Sequence, residues 1–411
     1  MHYLIIGNSI ASVGCIEAIR KLDTANPITV IGEERYACYA RPLISYLLQG
    51  KTDEQRMVYR SLSFYAENNV TVRTGVKAIG LDAGKKTVTL SDGSIVTYDK
   101  LLVATGSSPF IPPMKNLELV KKYFTFMQLD DAKQLEEAIH KESRVLILGA
   151  GLIGLKCAEG LHGRVKSITI VDLAPRILPS VLDEPGSARI QEHLEAEGLH
   201  FILSDSVREF TNDEALLSSG RVLGFDVLVV AVGVRPNTHL VKEAGGEVNR
   251  GIVVDRSGKT SLDSVYSAGD CTEGYELISG NRKVLALLPN AFLQGETAGR
   301  QMAGDREAVF DNAIAMNALS LFGLHVITAG SYEGQDLEIP CQNGYKRLFV
   351  KDNHLVGYIL MGEAVNRAGI YTSLIRNRTD LDTVDFALIS EQPVLMAFAK
   401  TVRKQKLGGS V

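Results

Sequence analysis

At 411 residues the chain exceeds one ordinary core and suits two or three domains. Its 45% hydrophobic and 22% charged content is that of a soluble globular protein, and a formal net charge of −4 carries no signature of nucleic-acid or membrane binding. Five cysteines (Cys15, Cys38, Cys157, Cys271, Cys341) include no C-x-x-C pair and are odd in number, which argues against a disulfide framework or a metal or iron–sulfur site within the chain and for a reducing, cytoplasmic setting.

In chain order, Tyr3–Ile6 reads as a buried strand and Ala11–Leu22 as the helix after it. The N-terminus lacks the basic region of a signal peptide, and Gly7 interrupts its apolar run too early. No stretch reaches the ~20 apolar residues that a membrane span needs. Ile28–Ile31, Val70–Arg73, Thr87–Leu90 and Ile95–Tyr98 follow as strands, the last two joined by an Asp92-Gly93 hairpin turn. Lys100–Ala104 is another buried strand, ending in Thr105-Gly106-Ser107. Pro109, Pro112 and Pro113 mark a first linker. A new βαβ unit starts at Val145 and runs past Asp172. Phe225–Ala231 ends in a second turn-rich crossing, Val232-Gly233-Val234-Arg235-Pro236-Asn237. Val265–Ala268 stops at Gly269-Asp270, and Pro289–Gly304 reads as a helix. Beyond about Asp305, strands at Arg347–Val350 and Leu355–Leu360 and a helix around Ala368–Arg376 indicate a smaller α+β unit.

Two glycine-rich turns carry the chemistry. In the second, Gly149, Gly151 and Gly154 form a full G-x-G-x-x-G between a strand and a helix. The first glycine allows the tight turn, the second lets backbone approach a pyrophosphate, and the third lets helix and strand pack closely. The next strand ends in Asp172, 23 residues after Gly149. A carboxylate there accepts both ribose hydroxyls and repels a 2′-phosphate, which favours NADH over NADPH; Arg176 nearby weakens that preference. The first turn is degenerate, with Gly7, Ser9 and Ser12 at the three glycine positions. Its support lies downstream, where Gly32-Glu33-Glu34 offers Glu33 to an adenosine ribose. Two such turns point to two dinucleotides brought together for electron transfer.

The run Gly32-Glu33-Glu34-Arg35-Tyr36-Ala37-Cys38-Tyr39-Ala40-Arg41-Pro42-Leu43-Ile44-Ser45 resembles the G-E-E-x-x-x-x-Y-x-R-P-x-x-S segment of FAD-dependent pyridine-nucleotide reductases. Tyr98 to Gly106 and Val265 to Cys271 resemble two further flavin motifs of the same superfamily, the pyridine nucleotide-disulfide oxidoreductases. The tail, from Asn317-Ala318-Leu319 through Gly362-Glu363, is similar to the NADH:rubredoxin reductase and nitrite-reductase-like branch, which lacks a redox cysteine.

The resemblance implies an α/β fold: two nested Rossmann-like domains and a small C-terminal α+β interface domain. The FAD-binding domain would comprise 1–109 and 235–304, the NAD(P)-binding domain 110–234, and the interface domain 305–411. Gly7, Ser9 and Ser12 would hold the FAD pyrophosphate at the helix start, Glu33 the adenosine ribose, and Arg41 the phosphates or ribose. The Val76 backbone would meet the adenine. Ala104, Thr105 and Gly106 would pass the flavin, and Gly269-Asp270 would bind the ribityl chain. Gly149, Gly151, Gly154, Asp172 and Gly233 would hold NADH.

Relatives with thiol chemistry carry a cysteine where this chain has Pro42. Many also pair a lysine and a glutamate near the nicotinamide, at positions occupied here by Tyr46 and Lys156. A cation there would favour a reduced, anionic flavin, which makes both residues catalytic candidates. The basic residues Lys400, Arg403, Lys404 and Lys406 are expected to form a frayed, solvated run, with docking of an acidic electron carrier as the alternative.

The activity so implied is hydride transfer from NADH to FAD, then electron transfer to rubredoxin, ferredoxin or an iron–sulfur subunit. Two rivals stay open: direct reduction of oxygen or another small molecule, and a non-catalytic flavoprotein subunit of a larger redox complex. Neither nucleic acid nor membrane is expected as a partner, and a homodimer is left open.

Overall fold

A computed structural model describes residues 1–399; the basic run from Lys400 onward lies outside them. Tyr3-Leu4-Ile5-Ile6 is buried along its whole length, as a parallel strand covered on both faces must be. It sits at the centre of a five-stranded parallel sheet in the order Val265–Ser267, Lys100–Val103, Tyr3–Ile6, Ile28–Gly32, Val70–Thr74. Helix Ile10–Leu22 covers one face with helix Leu288–Met302 against it. Glycines let the two axes approach closely, since a Cβ on Gly295 would lie 1.9 Å from the Ala11 carbonyl oxygen. Ala78–Asp82, Thr87–Leu90 and Ile95–Thr97 form an antiparallel flap on the other face, turned by Asp92-Gly93 with Gly93 at φ +83°.

A second five-stranded parallel sheet runs His200–Leu203, Ser167–Asp172, Arg144–Leu148, Val227–Val230, Tyr123–Phe124. All its strands fall inside one excursion of the chain. The outgoing strand Ser107–Pro109 and the returning strand Val234–Pro236 pair antiparallel, so the chain leaves and re-enters the first sheet at one ribbon.

The third sheet is antiparallel: Met316–Leu321, Leu324–Gly330, His354–Gly362, Gly344–Lys351, Gln335–Glu338. Alternation along its strands gives it two apolar faces. Val326, Phe349, Ile359 and Met361 join the core that also holds Leu155 and Ile190 of the second unit. Leu348, Tyr358 and Leu360 pack under helix Ala368–Arg376. Element ends move slightly from expectation. The first helix begins at Ile10, and the helix expected over Pro289–Gly304 spans Leu288–Met302. Two strands end early, at Val103 and Ser267, where the chain bends into cavity-lining turns.

Candidate dinucleotide sites

The first turn leaves its strand at Gly7, which has φ +111° and donates its N–H to Ile31 at 2.8 Å. A Cβ there would sit 2.0 Å from the Ala104 carbonyl oxygen, so the turn and the Ala104 crossing are locked together by the missing side chain. Ser9 takes the N-cap position of the following helix without a side-chain cap bond. Ser12 is buried, and its hydroxyl donates to the Gly7 carbonyl at 2.6 Å.

In front of this helix start lies a cavity of about 300 Å³. Ten of the eleven residues expected around the flavin nucleotide line it: Gly7, Ser9, Glu33, Arg41, Val76, Ala104, Thr105, Gly106, Gly269 and Asp270. Ser12 does not; its hydroxyl is spent on the turn itself. Glu33 stands exposed at the wall with Lys77 Nζ at 2.9 Å. Arg41 is largely buried, bonded to the Glu34 carboxylate and, at 3.3 Å, to the Met127 carbonyl. Burial raises the Asp270 pKa, opposed by a Ser107 hydroxyl at 3.3 Å and by Arg41.

Three further contributors have no role in the motif reading. Asn237 clamps the two crossings: its side-chain N–H donates to the Thr105 carbonyl at 2.9 Å, its amide oxygen accepts from Ser108 at 2.8 Å, and its carbonyl accepts from the Thr105 hydroxyl at 2.7 Å. Gln294 accepts the Gly269 N–H at 2.8 Å. Glu34 holds both Arg41 and Tyr39. Asn237 lies in the legible Arg235-Pro236-Asn237 crossing and Glu34 in the Gly32-Glu33-Glu34 motif, which gives no role to its second carboxylate; Gln294 has no local signal.

The second turn is built more strictly. Gly149 has φ +108°, with a virtual Cβ 2.3 Å from the Ala231 carbonyl oxygen. Gly151 caps helix Leu152–Leu161 and has no neighbour within 4 Å of a virtual Cβ, an open cradle at a helix start. Gly154 packs inward, its virtual Cβ 2.0 Å from the Gly149 carbonyl oxygen. Asp172 sits over the turn, accepting the N–H groups of Ala150 at 2.6 Å and Ala174 at 2.7 Å. Gly233, at φ +122°, accepts the Phe110 N–H at 2.9 Å on the connecting ribbon. Arg176 Nη1 is buried without a hydrogen-bond partner.

Tyr46 and Lys156 do come together, with the ammonium 4.6 Å from the ring centroid. Neither lines the cavity. Lys156 does not point to water: it is bonded to Glu159 on its own helix and, at 3.3 Å, to the Ser320 carbonyl of the third sheet. Glu159 also accepts the Phe322 N–H at 2.9 Å. Cys15 and Cys157 are fully buried, and burial pushes their thiol pKa values far up; the Cys38 thiol is pushed up to about 12 by burial. Cys271 is buried in the core, its thiol directed to the Ala268 carbonyl at 3.4 Å. No cysteine lines the cavity.

The pyridine nucleotide-disulphide oxidoreductase family model matches residues 1–295. The chain belongs to that family. It is 32% identical over 391 residues to the NADH-dependent phenylglyoxylate dehydrogenase subunit epsilon of Aromatoleum evansii, covering 92% of each chain. It is 31% identical over 376 residues to a rubredoxin-NAD(+) reductase of Alcanivorax borkumensis, covering 89% of this chain and 96% of that one. Against the nitrite reductase [NAD(P)H] of Bacillus subtilis it is 30% identical but spans only 47% of that protein. Among solved structures, the covalent putidaredoxin reductase–putidaredoxin complex superposes with a TM-score of 0.87 at 22% identity, covering 96% of both chains. The family member described here is an NAD(P)H-dependent flavin oxidoreductase with FAD and NADH as its cofactors. Among its described residues no helix is long and apolar enough to cross a membrane.

Proposed function

We propose that this enzyme takes hydride from NADH at the second turn into FAD at the first, and passes electrons on to a separate protein carrier of the rubredoxin or ferredoxin type or to an iron–sulfur subunit. The observation that carries the reading is the make-up of the cavity wall. It combines a helix start, the exposed carboxylate of Glu33, a half-buried arginine and a half-buried aspartate, and it includes no thiol. The residues fit an FAD: the cradle at Gly7 and Ser9 suits a pyrophosphate, Glu33 a ribose, Val76 an adenine, and Asp270 a polyol. Gly149, Gly151 and Asp172 hold NADH, Gly154 seats their helix, and Gly233 shapes the facing loop. FAD, when bound, supplies the step from two-electron to one-electron chemistry. The protein's part is placement, and Asn237 contributes by fixing the Thr105 crossing against the returning chain.

This reading divides the chain into an FAD-binding domain of 1–109 and 235–304, an NAD(P)-binding domain of 110–234 and an interface domain of 305–411. A cytoplasmic location agrees with the five free cysteines. A second reading, direct reduction of oxygen, is supported by 30% identity over 316 residues to an NADH oxidase of Methanocaldococcus jannaschii. The test is reoxidation of the NADH-reduced enzyme by rubredoxin, ferredoxin and oxygen in parallel. The carrier reading expects one of the two proteins to outpace oxygen at least tenfold. Reoxidation by oxygen alone would overturn it.

A further inference from the structure

The two dinucleotide turns lie on separate sheets, yet hydride transfer needs reacting atoms within about 3–3.5 Å, and a misplacement of about 1 Å can cost roughly 10²-fold in rate. Something must set the second unit against the first. One carboxylate stands at that joint. Glu34 follows Glu33 at the end of strand Ile28–Gly32, and its side chain is only 16% exposed. One of its oxygens accepts from Arg41, a wall residue of the flavin cavity. The other accepts the Tyr39 hydroxyl proton at 2.7 Å.

The Tyr39 oxygen in turn accepts the Leu129 N–H at 2.9 Å. Leu129 is the first residue of helix Leu129–Ala138, in the inserted unit, and its N–H is one of the donors that a helix start leaves without an internal partner. Arg41 reaches the same helix start through the Met127 carbonyl. A parallel contact supports it: the Tyr36 hydroxyl bonds to Asp130, and Lys133 lies 4.7 Å over the Tyr36 ring while pairing with Glu54 at 2.7 Å. The first turn of this helix is thus gripped from the flavin side by a single short segment of chain.

We propose that Glu34 is a positioning residue: by holding Arg41 in the cavity wall and Tyr39 on the Leu129 N–H, it fixes the alignment of the two dinucleotide-binding units. The proposal rests on the hydride-transfer reading above. The two arms separate by substitution. Tyr39→Phe breaks the link to Leu129 and leaves Glu34 on Arg41. Glu34→Gln weakens both, because a neutral amide holds a guanidinium and a phenol less strongly than a carboxylate does.

The experiment uses FAD-loaded protein and three readouts: amide exchange over residues 127–133, FAD released on dilution, and anaerobic flavin reduction at rising NADH. Tyr39→Phe should raise exchange at Leu129 about tenfold, lower the limiting reduction rate about tenfold, and leave FAD release and half-saturating NADH within about twofold. Glu34→Gln should do the same and also speed FAD release by about tenfold. The proposal is overturned if Tyr39→Phe keeps wild-type exchange at Leu129 or the wild-type limiting rate. It is also overturned if both variants merely lose FAD and thermal stability in parallel, the pattern of a general packing defect. If wild type itself is not reduced by NADH, the functional reading fails instead, while the exchange and FAD-release arms still report on the joint.

Discussion

The two glycine-rich turns solve one geometric problem in different ways. Both begin with a glycine at strongly positive φ, Gly7 at +111° and Gly149 at +108°, and both press that glycine against a carbonyl of a neighbouring crossing, at Ala104 and Ala231. They part at the third small position. In the second turn Gly154 lets the helix close onto the Gly149 carbonyl, and even a methyl group would collide. In the first, Ser12 stands at the same place and hydrogen-bonds the Gly7 carbonyl instead. A hydroxyl thus replaces close approach as the tie between helix and turn. The degenerate motif keeps the turn; its tie has changed from packing to a hydrogen bond.

That contrast can be broken by substitution, and the largest effect belongs to the tighter turn. Gly154→Ala should cost about 3 kcal/mol or more, through overpacking of the helix start, and abolish NADH binding. Urea unfolding of the FAD-loaded protein and NADH titration measure the two losses. Asp172→Ala comes next. It removes the acceptor for Ala150 and Ala174, so half-saturating NADH should rise roughly tenfold or more, while NADPH gains relative to NADH. Steady-state comparison of the two nucleotides decides it; an unchanged ratio would show that Asp172 only braces the turn.

Ser12→Ala probes the looser turn. It should cost about 1 kcal/mol, the worth of one buried hydrogen bond, with FAD retained. A loss as large as that of Gly154→Ala would refute the contrast drawn between the turns.

The smallest effect concerns the base of the second sheet, where Asp226 accepts from Arg144 through Nε at 3.1 Å and Nη2 at 2.9 Å. That hydrogen bonding depresses the Asp226 pKa to about 2. Its stabilisation is therefore complete above the ordinary carboxylate pKa near 4 and fades as pH falls toward 2. Both side chains are more than a third exposed, so Asp226→Asn should cost only about 0.5 kcal/mol at pH 7. The gap between the urea midpoints of wild type and variant should narrow at pH 3.

Much of this was legible in the sequence because it is local. Tyr3–Ile6 and Val145–Leu148 announce themselves as strands buried on both faces, and each glycine-rich turn follows its strand directly. The cavity wall is legible as a place of convergence, because short motifs at strand ends supply most of its lining. Ser12 is the exception: its place in the motif points to the pyrophosphate, whereas its hydroxyl serves the turn. Glu34 was hidden because its meaning depends on Leu129, far along the chain, and an acidic pair after a strand does not say which member faces inward. Lys156 lies over the Tyr46 ring, but its ties to Glu159 and Ser320 depend on how the third sheet docks, which no local pattern encodes.

The most direct measurement mixes the purified yellow protein with NADH in the absence of oxygen and follows the flavin absorbance. One equivalent of NADH should bleach the flavin completely, and an oxidised rubredoxin- or ferredoxin-type carrier should restore the colour. Protein that is colourless, or that keeps its colour in excess NADH, would contradict hydride transfer from NADH to FAD.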